Sequence, residues 1–227
     1  MDIPLVQARN YTPANRSQVD YIIIHTMEAP ETSGRAMSVA QWFAGPDAPQ
    51  ASAHYMVDDD QVVQSVDEKD IAWQVQSTND IGNNRGIGIE HAGYAARTPQ
   101  DWSTPDAEAE LKLSAQLTAD IAKRWNIPLV WLDEDALQRG ERGFTGHVQI
   151  TNAFNHGVGH TDPGPNFPVD HYLSLVKSAS VSWGRIAAYT LGGLALGGLA
   201  WYLYENRRYL PLPRLSTPRL PARRRYA

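Results

Sequence analysis

Near its C-terminal end the chain carries a run of 19 residues without a charge, residues 186–204, which read IAAYTLGGLALGGLAWYLY. At about 1.5 Å of rise per residue, a helix of this run would be roughly 28 Å long, close to the ~30 Å hydrocarbon core of a bilayer. Trp201, Tyr202 and Tyr204 lie near one end, where aromatic side chains meet the headgroups. The alternative is a buried core helix, but the four glycines of the run would weaken such a helix in water. The run therefore predicts a transmembrane helix.

The charges around this run bear on the partners of the protein. Residues 205–227 contain seven arginines and one glutamate, a net charge of +6, whereas the whole chain carries −5, which leaves −11 for the rest. An acidic main body does not suit nucleic acid, because phosphate contacts need clustered Lys and Arg. The basic tail instead fits a topology signal beside a span of the lipid bilayer. Gly193 and Gly197 form a GxxxG spacing, a weak indication of helix–helix self-association.

The predicted location is a membrane, with a single span and a C-terminal anchor. The arginine-rich tail predicts a cytoplasmic C-terminus, which would place the main domain outside. Residues 1–17 have no apolar stretch of the kind that a secretory signal peptide needs, so the two indications conflict. A virion membrane, a domain that stays inside or an unusual insertion would each resolve the conflict. We expect a virion membrane or a bacterial envelope.

Residues 1–178 have the pattern of one mixed α/β domain, followed by a linker over residues 179–185. The continuous apolar runs 21–24 and 86–91 predict buried strands. Residues 103–106, STPD, predict a helix start, with a capping hydroxyl and an early proline. The other predicted elements are a helix over 34–44, two strands within 52–66, an edge strand over 128–132 and a last helix over 170–178. Strands buried between helices are typical of the mixed α/β class.

The chain contains no cysteine, so any metal must be bound by His, Asp or Glu. His25 ends the first predicted strand, and His147 follows Phe144, Thr145 and Gly146 and begins another apolar stretch. Asp162 lies in the turn sequence HTDPGP, which proline and glycine hold stiffly. Two histidines and one carboxylate would leave a fourth position open on a tetrahedral Zn²⁺, as catalytic sites do. The spacing alone also allows simply hydrogen-bonded histidines and an ordinary turn.

Five segments, taken together and in this order, resemble the zinc-dependent N-acetylmuramoyl-L-alanine amidases, the family of T7 lysozyme-type and AmpD-type enzymes and of peptidoglycan recognition proteins. The resemblance covers roughly residues 18–175 and rests on YIIIHTMEAP (21–30), SAHYMVDDDQVVQSVDEKDIAW (52–73), NRGIGIEHAGY (84–94), TGH (145–147) and HTDPGPNFP (160–168). It implies a central mixed β-sheet flanked by helices, with a zinc cleft on one face. It also implies cleavage of the amide between N-acetylmuramic acid and L-alanine in peptidoglycan.

By position, the resemblance assigns His25, His147 and Asp162 as ligands of Zn²⁺, the cofactor. Glu90 matches the glutamate that serves AmpD-type enzymes as acid and base. His160 stands where many relatives have Lys, and a donor there would stabilise the oxyanion that develops from the scissile carbonyl. The competing interpretations are structural: Glu90 as a paired carboxylate on a buried strand, and His160 as a residue that orients the Asp162 turn.

The resemblance also implies two substrate-binding residues. His54, in SAH, matches a histidine that lines the cleft, although a packed and hydrogen-bonded histidine is an equally good interpretation. Trp73 matches the Trp of a segment that commonly reads AWHAG. Here Gln74 replaces the following His, which puts a substrate role of that position in doubt. His156 belongs to a stretch inserted before Asp162, where a loop histidine is the better interpretation.

Three hypotheses follow for function. The first is a membrane-anchored zinc amidase that degrades the cell wall, either a phage lysin or a bacterial envelope enzyme. The second is a non-catalytic module that recognises muropeptides and is tethered to a membrane. The third is a membrane scaffold in which the amidase domain is secondary. The presence of all three predicted ligands and of Glu90 favours the first.

Overall fold

A computed structural model describes residues 3–180 of the chain. Seven strands lie in this part, some of them very short: β1 (Tyr11–Thr12), β2 (Tyr21–Thr26), β3 (Tyr55–Val57), β4 (Val62–Gln64), β5 (Ile71–Ala72), β6 (Gly86–His91) and β7 (Gly143–Gly146). Five α-helices have both ends within it: α1 (Arg35–Ala44), α2 (Ile81–Arg85), α3 (Pro105–Trp125), α4 (Glu134–Gln138) and α5 (His147–Phe154). Residues 169–180 are also helical, so the helix predicted at 170–178 continues into the first residues of the expected linker.

The central sheet has five strands in the order β4-β3-β6-β2-β7. Strands β3, β6, β2 and β7 are parallel, and β4 pairs with β3 in the antiparallel sense, so the sheet is mixed as expected. The middle strands β2 and β6 are fully aligned, with Ile24 opposite Ile89 and His25 opposite Glu90. Because parallel strands bring equivalent residues side by side, His25 and Glu90 lie on the same face of the sheet.

One face of the sheet is apolar and packs against α3. Its strand residues are Ile22 and Ile24 of β2 and Ile87 and Ile89 of β6, all completely buried. Helix α3 begins where the sequence predicts, because the Thr104 hydroxyl accepts a hydrogen bond from the backbone N–H of Ala107 and Pro105 follows the cap. The helix ends at Asn126, which adopts a left-handed conformation.

The opposite face is covered in two parts. Helix α1, predicted at 34–44, packs on β3 and β4 through Ala36, Ala40, Phe43, Met56 and Val63, whereas the short helices α4 and α5 were not predicted from the sequence. Helix α4 is capped by the Asp133 carboxylate, which accepts from the backbone N–H of Ala136. Helix α5 begins directly at the end of β7. A small apolar cluster joins these helices to the sheet through Tyr21, Ile23, Val75, Leu132, Ala136, Leu137 and Ile150.

The edge strand expected over residues 128–132 is reduced to a single bridge between Trp131 and Phe144. Two backbone hydrogen bonds join this segment to Phe144, from Phe144 N to Val130 O and from Leu132 N to Phe144 O. The segment extends no further because Asp133 already caps α4. A strand prediction at 128–132 is therefore wrong in extent, although the segment does lie at the sheet edge.

Within residues 3–180, no helix combines the length and the apolar character that a bilayer span needs. The predicted transmembrane helix at 186–204, the basic tail at 205–227 and most of the linker at 179–185 lie outside the described residues.

Candidate metal and catalytic site

Three side chains converge at one end of the sheet, and their potential ligand atoms all lie within 4.8 Å of one another. The Nδ1 atom of His25 is 3.0 Å from Oδ2 of Asp162, and Nδ1 of His147 is 3.1 Å from Oδ1 of the same carboxylate. All three residues are buried. They are the three residues that the resemblance assigns as zinc ligands.

The chain brings these residues together from three elements. His25 lies at the carboxyl end of β2, and His147 is the first residue of α5, directly after β7. The loop that carries Asp162 is joined to α5, because the backbone N–H of Val148 donates to the carbonyl of Asp162 over 2.9 Å. Gly146 permits this approach, since a Cβ there would lie 2.6 Å from Cδ of Pro163.

The chemistry of this group fits a Zn²⁺ ion. Ligands about 2.0–2.2 Å from a tetrahedral ion lie about 3.3–3.5 Å apart, only slightly more than the N–O distances seen here. The buried Oδ1 of Asp162 makes no hydrogen bond within the described residues, despite its short distance to His147. A converging set of two imidazoles and an unsatisfied carboxylate oxygen is what a cation would complete.

The electrostatics of the group also favour a cation. Burial opposes the charged form of Asp162, yet the two imidazoles hold the pKa of its carboxyl well below the usual range. Burial lowers the pKa of His147. For His25 burial acts in the same direction, but the hydrogen bond to the Asp162 carboxylate and the charges of Glu90 and Asp162 outweigh it and raise the pKa. Asp162 is thus anionic and His147 neutral, as metal ligands must be, whereas the proton favoured on His25 would have to leave when a metal binds.

Glu90 lies beside this group, opposite His25 in the parallel register and half-buried in the same cleft. Its Oε2 has no hydrogen-bond partner among residues 3–180. Burial raises the pKa of Glu90 to about 7. A carboxyl group whose pKa lies near neutral pH can both take up and release a proton at physiological pH. The free Oε2, and the absence of an ion pair at Glu90 within residues 3–180, argue against a merely paired structural carboxylate.

The cleft above these residues has a volume of about 500 Å³ and exposes aromatic side chains on its walls. Trp73 is 36% exposed there, and its indole N–H donates to Thr12 over 2.9 Å. Trp42, on α1, lines the same cleft and is 53% exposed. Trp42 was not predicted from the sequence. The one signal for it would have been an apolar residue at a position of an amphipathic helix that is otherwise polar and exposed.

His160 lies at the edge of the cleft, stacked against His147 with ring centroids 4.9 Å apart and 75% of its side chain exposed. Its Nδ1 is 3.8 Å from Oδ1 of Asp162, too far for a hydrogen bond. Most of the ring therefore faces the solvent at the cleft edge, where it can meet a ligand, and its role stays a prediction. His156 is exposed in the loop after α5 and does not contribute to the cleft wall.

His54 does not reach the cleft. It is completely buried beneath β6, where its Nδ1 accepts the backbone N–H of Gly88 over 3.1 Å. Its Nε2 lies 3.3 Å from the carbonyl of Asp70 and 2.9 Å from the guanidinium of Arg16. The substrate-binding assignment thus gives way to the alternative of a packed, hydrogen-bonded histidine. His91 points to the apolar face, as strand alternation predicts, and burial lowers its pKa to about 3.

Fold and site together define a cleft hydrolase with a two-histidine, one-carboxylate group and an adjacent glutamate. A profile of the N-acetylmuramoyl-L-alanine amidases matches residues 15–165, about two thirds of the chain. The chain belongs to this family of peptidoglycan hydrolases, and the predicted enzyme class is confirmed. A search of curated proteins gave no match.

Among solved structures with a similar fold, the hydrolase AmiA of Staphylococcus aureus, solved with its ligand, has a TM-score of 0.60 and 16% identity over 82% of this chain and 86% of its own. A mutant of PlyL has a TM-score of 0.57 and 16% identity, over 78% of this chain and 99% of its own. The catalytic domain of XlyA has a TM-score of 0.53 and 18% identity, over 78% of this chain and 99% of its own. At these identities the likeness shows the fold.

Proposed function

We propose that this protein is a zinc-dependent amidase that releases stem peptides from peptidoglycan at the bond between N-acetylmuramic acid and L-alanine, and that residues 186–204 anchor it in a membrane. The observation that carries the proposal is the convergence of His25, His147 and Asp162 beside a carboxylate oxygen of Glu90 that has no partner within the described residues. A module that only recognises muropeptides would not need an unpaired, half-buried carboxyl at this position.

The two histidines and Asp162 would hold the ion, and the remaining residues handle the protons. Zinc, when bound, supplies a Lewis acid that polarises the scissile carbonyl and makes water more acidic. Glu90 takes a proton from the attacking water with its free Oε2 and later delivers it to the departing nitrogen of L-alanine. His160, exposed at the cleft edge, donates a hydrogen bond to the developing oxyanion.

The rest of the cleft would bind the substrate. Trp73 keeps its indole N–H on Thr12, so its ring face is held in one orientation toward the cleft. Flat aromatic faces suit the apolar side of a sugar ring or an apolar stretch of a peptide stem. Trp73 thus binds the substrate and does not take part in proton transfer.

The test is mass spectrometry of the products formed when the full-length chain, purified in mild detergent, is incubated with peptidoglycan. We expect stem peptides with free L-alanine amino ends, lost on chelation and restored by zinc. If neither intact wall nor a soluble muropeptide is cut, while the latter still binds, the recognition-module hypothesis is correct instead.

The anchor is proposed from the uncharged run alone, and it suits either a phage lysin or a bacterial envelope enzyme. A double substitution, Leu194→Arg with Leu196→Arg, places two charges in the middle of the run, at about 2.5–3.5 kcal/mol each. We expect the protein to move from the membrane to the soluble fraction after alkaline extraction. Retention of the double variant in the membrane fraction would contradict the anchor.

A Gly193→Ile variant that keeps the same oligomer size in detergent would contradict self-association.

A further inference from the structure

Gln74 contacts the metal-site histidine from the side away from the other ligands. Its Oε1 lies 3.3 Å from Nε2 of His25, whereas Nδ1 of the same ring faces Asp162. We infer that Gln74 is a positioning residue, which holds the proton of His25 on Nε2 and thereby leaves Nδ1 free to bind zinc. The inference rests on the proposed zinc site and extends it to a residue that does not touch the ion.

The chemistry requires such an acceptor. A neutral imidazole carries one proton, and the nitrogen that binds a metal must be the unprotonated one. Histidine ligands therefore commonly donate their other N–H to an oxygen, which fixes both the tautomer and the ring plane. The amide oxygen of Gln74 is the oxygen at that position for His25.

The backbone of Gln74 is fixed by a single side chain. The Oδ1 atom of Asn83 accepts the N–H of Gln74 over 3.0 Å and the N–H of Val75 over 2.9 Å. Val75 is buried in the small apolar cluster below α5, which holds the segment against the sheet. With its backbone held at two successive amides, Gln74 has little freedom to move its side chain away from His25.

Strand β6 makes room for this side chain by having no side chain of its own at two positions. A Cβ on Gly88 would lie 1.8 Å from Oε1 and 2.8 Å from Cδ of Gln74. A Cβ on Gly86 would lie 3.2 Å from its Nε2. Any larger residue at 88 would therefore displace the amide from His25. The backbone N–H of Gly88 donates to Nδ1 of the buried His54, which holds Gly88 in place.

The decisive experiment measures the zinc dissociation constant of full-length variants by competition with a chromogenic chelator. Gln74→Met keeps the length of the side chain but removes the acceptor, and we expect zinc to bind about 10- to 100-fold more weakly. Gln74→Glu keeps an oxygen at the same position, so its affinity should stay within about threefold of wild type. The matched control is Gln138→Met, which makes the same change on the exposed side of α4 and should bind as wild type does.

A second pair of variants tests the contact without altering Gln74. Gly88→Ala should weaken zinc binding in the same direction, whereas Gly45→Ala, whose added Cβ makes only ordinary contacts, should not. Thermal unfolding in the presence of chelator shows whether each variant is folded. For Gln74→Met with zinc at saturation, we expect kcat to fall and KM to stay nearly constant, since Gln74 acts through His25.

Equal zinc affinity of wild type and Gln74→Met would overturn the inference and leave the proposed function intact. Equal losses in Gln74→Met and Gln74→Glu would also overturn it, because the side chain would then only fill space. If Gln74→Met does not fold, an unchanged zinc affinity in Gly88→Ala would overturn the inference instead. A wild-type chain that binds no zinc would instead overturn the proposed function, and the inference with it.

Discussion

The two faces of the central sheet are built from the same strands but differ in what their side chains do. On one face Ile22 and Ile24 of β2 meet Ile87 and Ile89 of β6 and pack against α3 with no exposed surface. On the other face the same strands present His25 and Glu90 at their carboxyl ends, with Gly86 and Gly88 behind them.

This difference follows from the twofold alternation of side chains along a strand. On β2 the residues of one parity bury apolar area against α3. Those of the other parity are apolar and buried at the start of the strand, at Tyr21 and Ile23, and become polar only at its carboxyl end, where His25 faces the cleft. Adjacent residues such as Ile89 and Glu90 should therefore affect different properties when they are changed: stability for the first, and chemistry for the second.

The largest expected effect is on the cleft face. Glu90→Gln keeps the shape of the side chain but removes the group that carries the proton, so kcat should fall about 10²- to 10⁴-fold. Zinc affinity should change little, because the carboxylate has no hydrogen bond at Oε2 to lose. The free energy of unfolding should not fall, and at neutral pH it should rise, because the charged form that burial disfavours is gone. Turnover measured on a soluble muropeptide checks this, with Glu141→Gln on the exposed surface as the control. Unchanged turnover would remove Glu90 from the mechanism.

The neighbouring residue tests the apolar face. Ile89 is completely buried, and Ile89→Ala should lower the free energy of unfolding by about 2–5 kcal/mol through lost contacts and the cavity left behind. Urea denaturation measures this, with the exposed Val130→Ala as the control. At temperatures where the variant remains folded, its zinc dissociation constant should equal that of wild type. A large change in zinc affinity would mean that the two faces are coupled and would break the comparison.

The sequence predicted the apolar face well, because its signals are local. Continuous apolar runs identify β2 and β6, and the capping hydroxyl of Thr104 identifies the start of α3. The register of the two strands was not predictable in this way. It depends on the pairing of segments that are about 60 residues apart in the chain.

The cleft face was predicted by resemblance, residue by residue, and only in part. The structure brings His25, His147 and Asp162 together and places Glu90 beside them, but their roles stay predictions. His54 is buried outside the cleft and contacts Arg16 from a distant segment, a placement that no local pattern in the sequence indicates. The contact of Gln74 with His25 needs Asn83 and the open space over Gly88, and no local pattern reports either.

A buried carboxyl group on the apolar side gives a pH test of the comparison. Glu110 of α3 is completely buried, and burial raises its pKa to about 8, although Arg97 lies 3.0 Å away and opposes the shift. Because the folded state keeps the proton to higher pH than the unfolded chain, the free energy of unfolding should fall as pH rises from about 4.5 to 8. The loss from this one group should be a few kcal/mol, at most about 5 kcal/mol.

Replacement of Glu110 isolates this contribution. In Glu110→Gln the side chain no longer titrates, so urea denaturation between pH 5 and 8 should show a smaller fall in stability than wild type. The zinc dissociation constant at a fixed pH should be the same in both proteins, since Glu110 lies on the helix that covers the apolar face. Parallel stability curves would contradict the raised pKa.

The smallest expected effect lies at the start of α3, the helix that packs on the apolar face. Thr104→Ala removes the oxygen that accepts the N–H of Ala107, and the loss of such a cap should lower the free energy of unfolding by about 1 kcal/mol. Thr104→Ser keeps the hydroxyl and should recover most of this stability. Urea denaturation resolves a difference of this size, and turnover should be unchanged in both variants. A Thr104→Ala protein that lost turnover while remaining folded would show that α3 affects the cleft through the sheet. The two faces would then not be independent of each other.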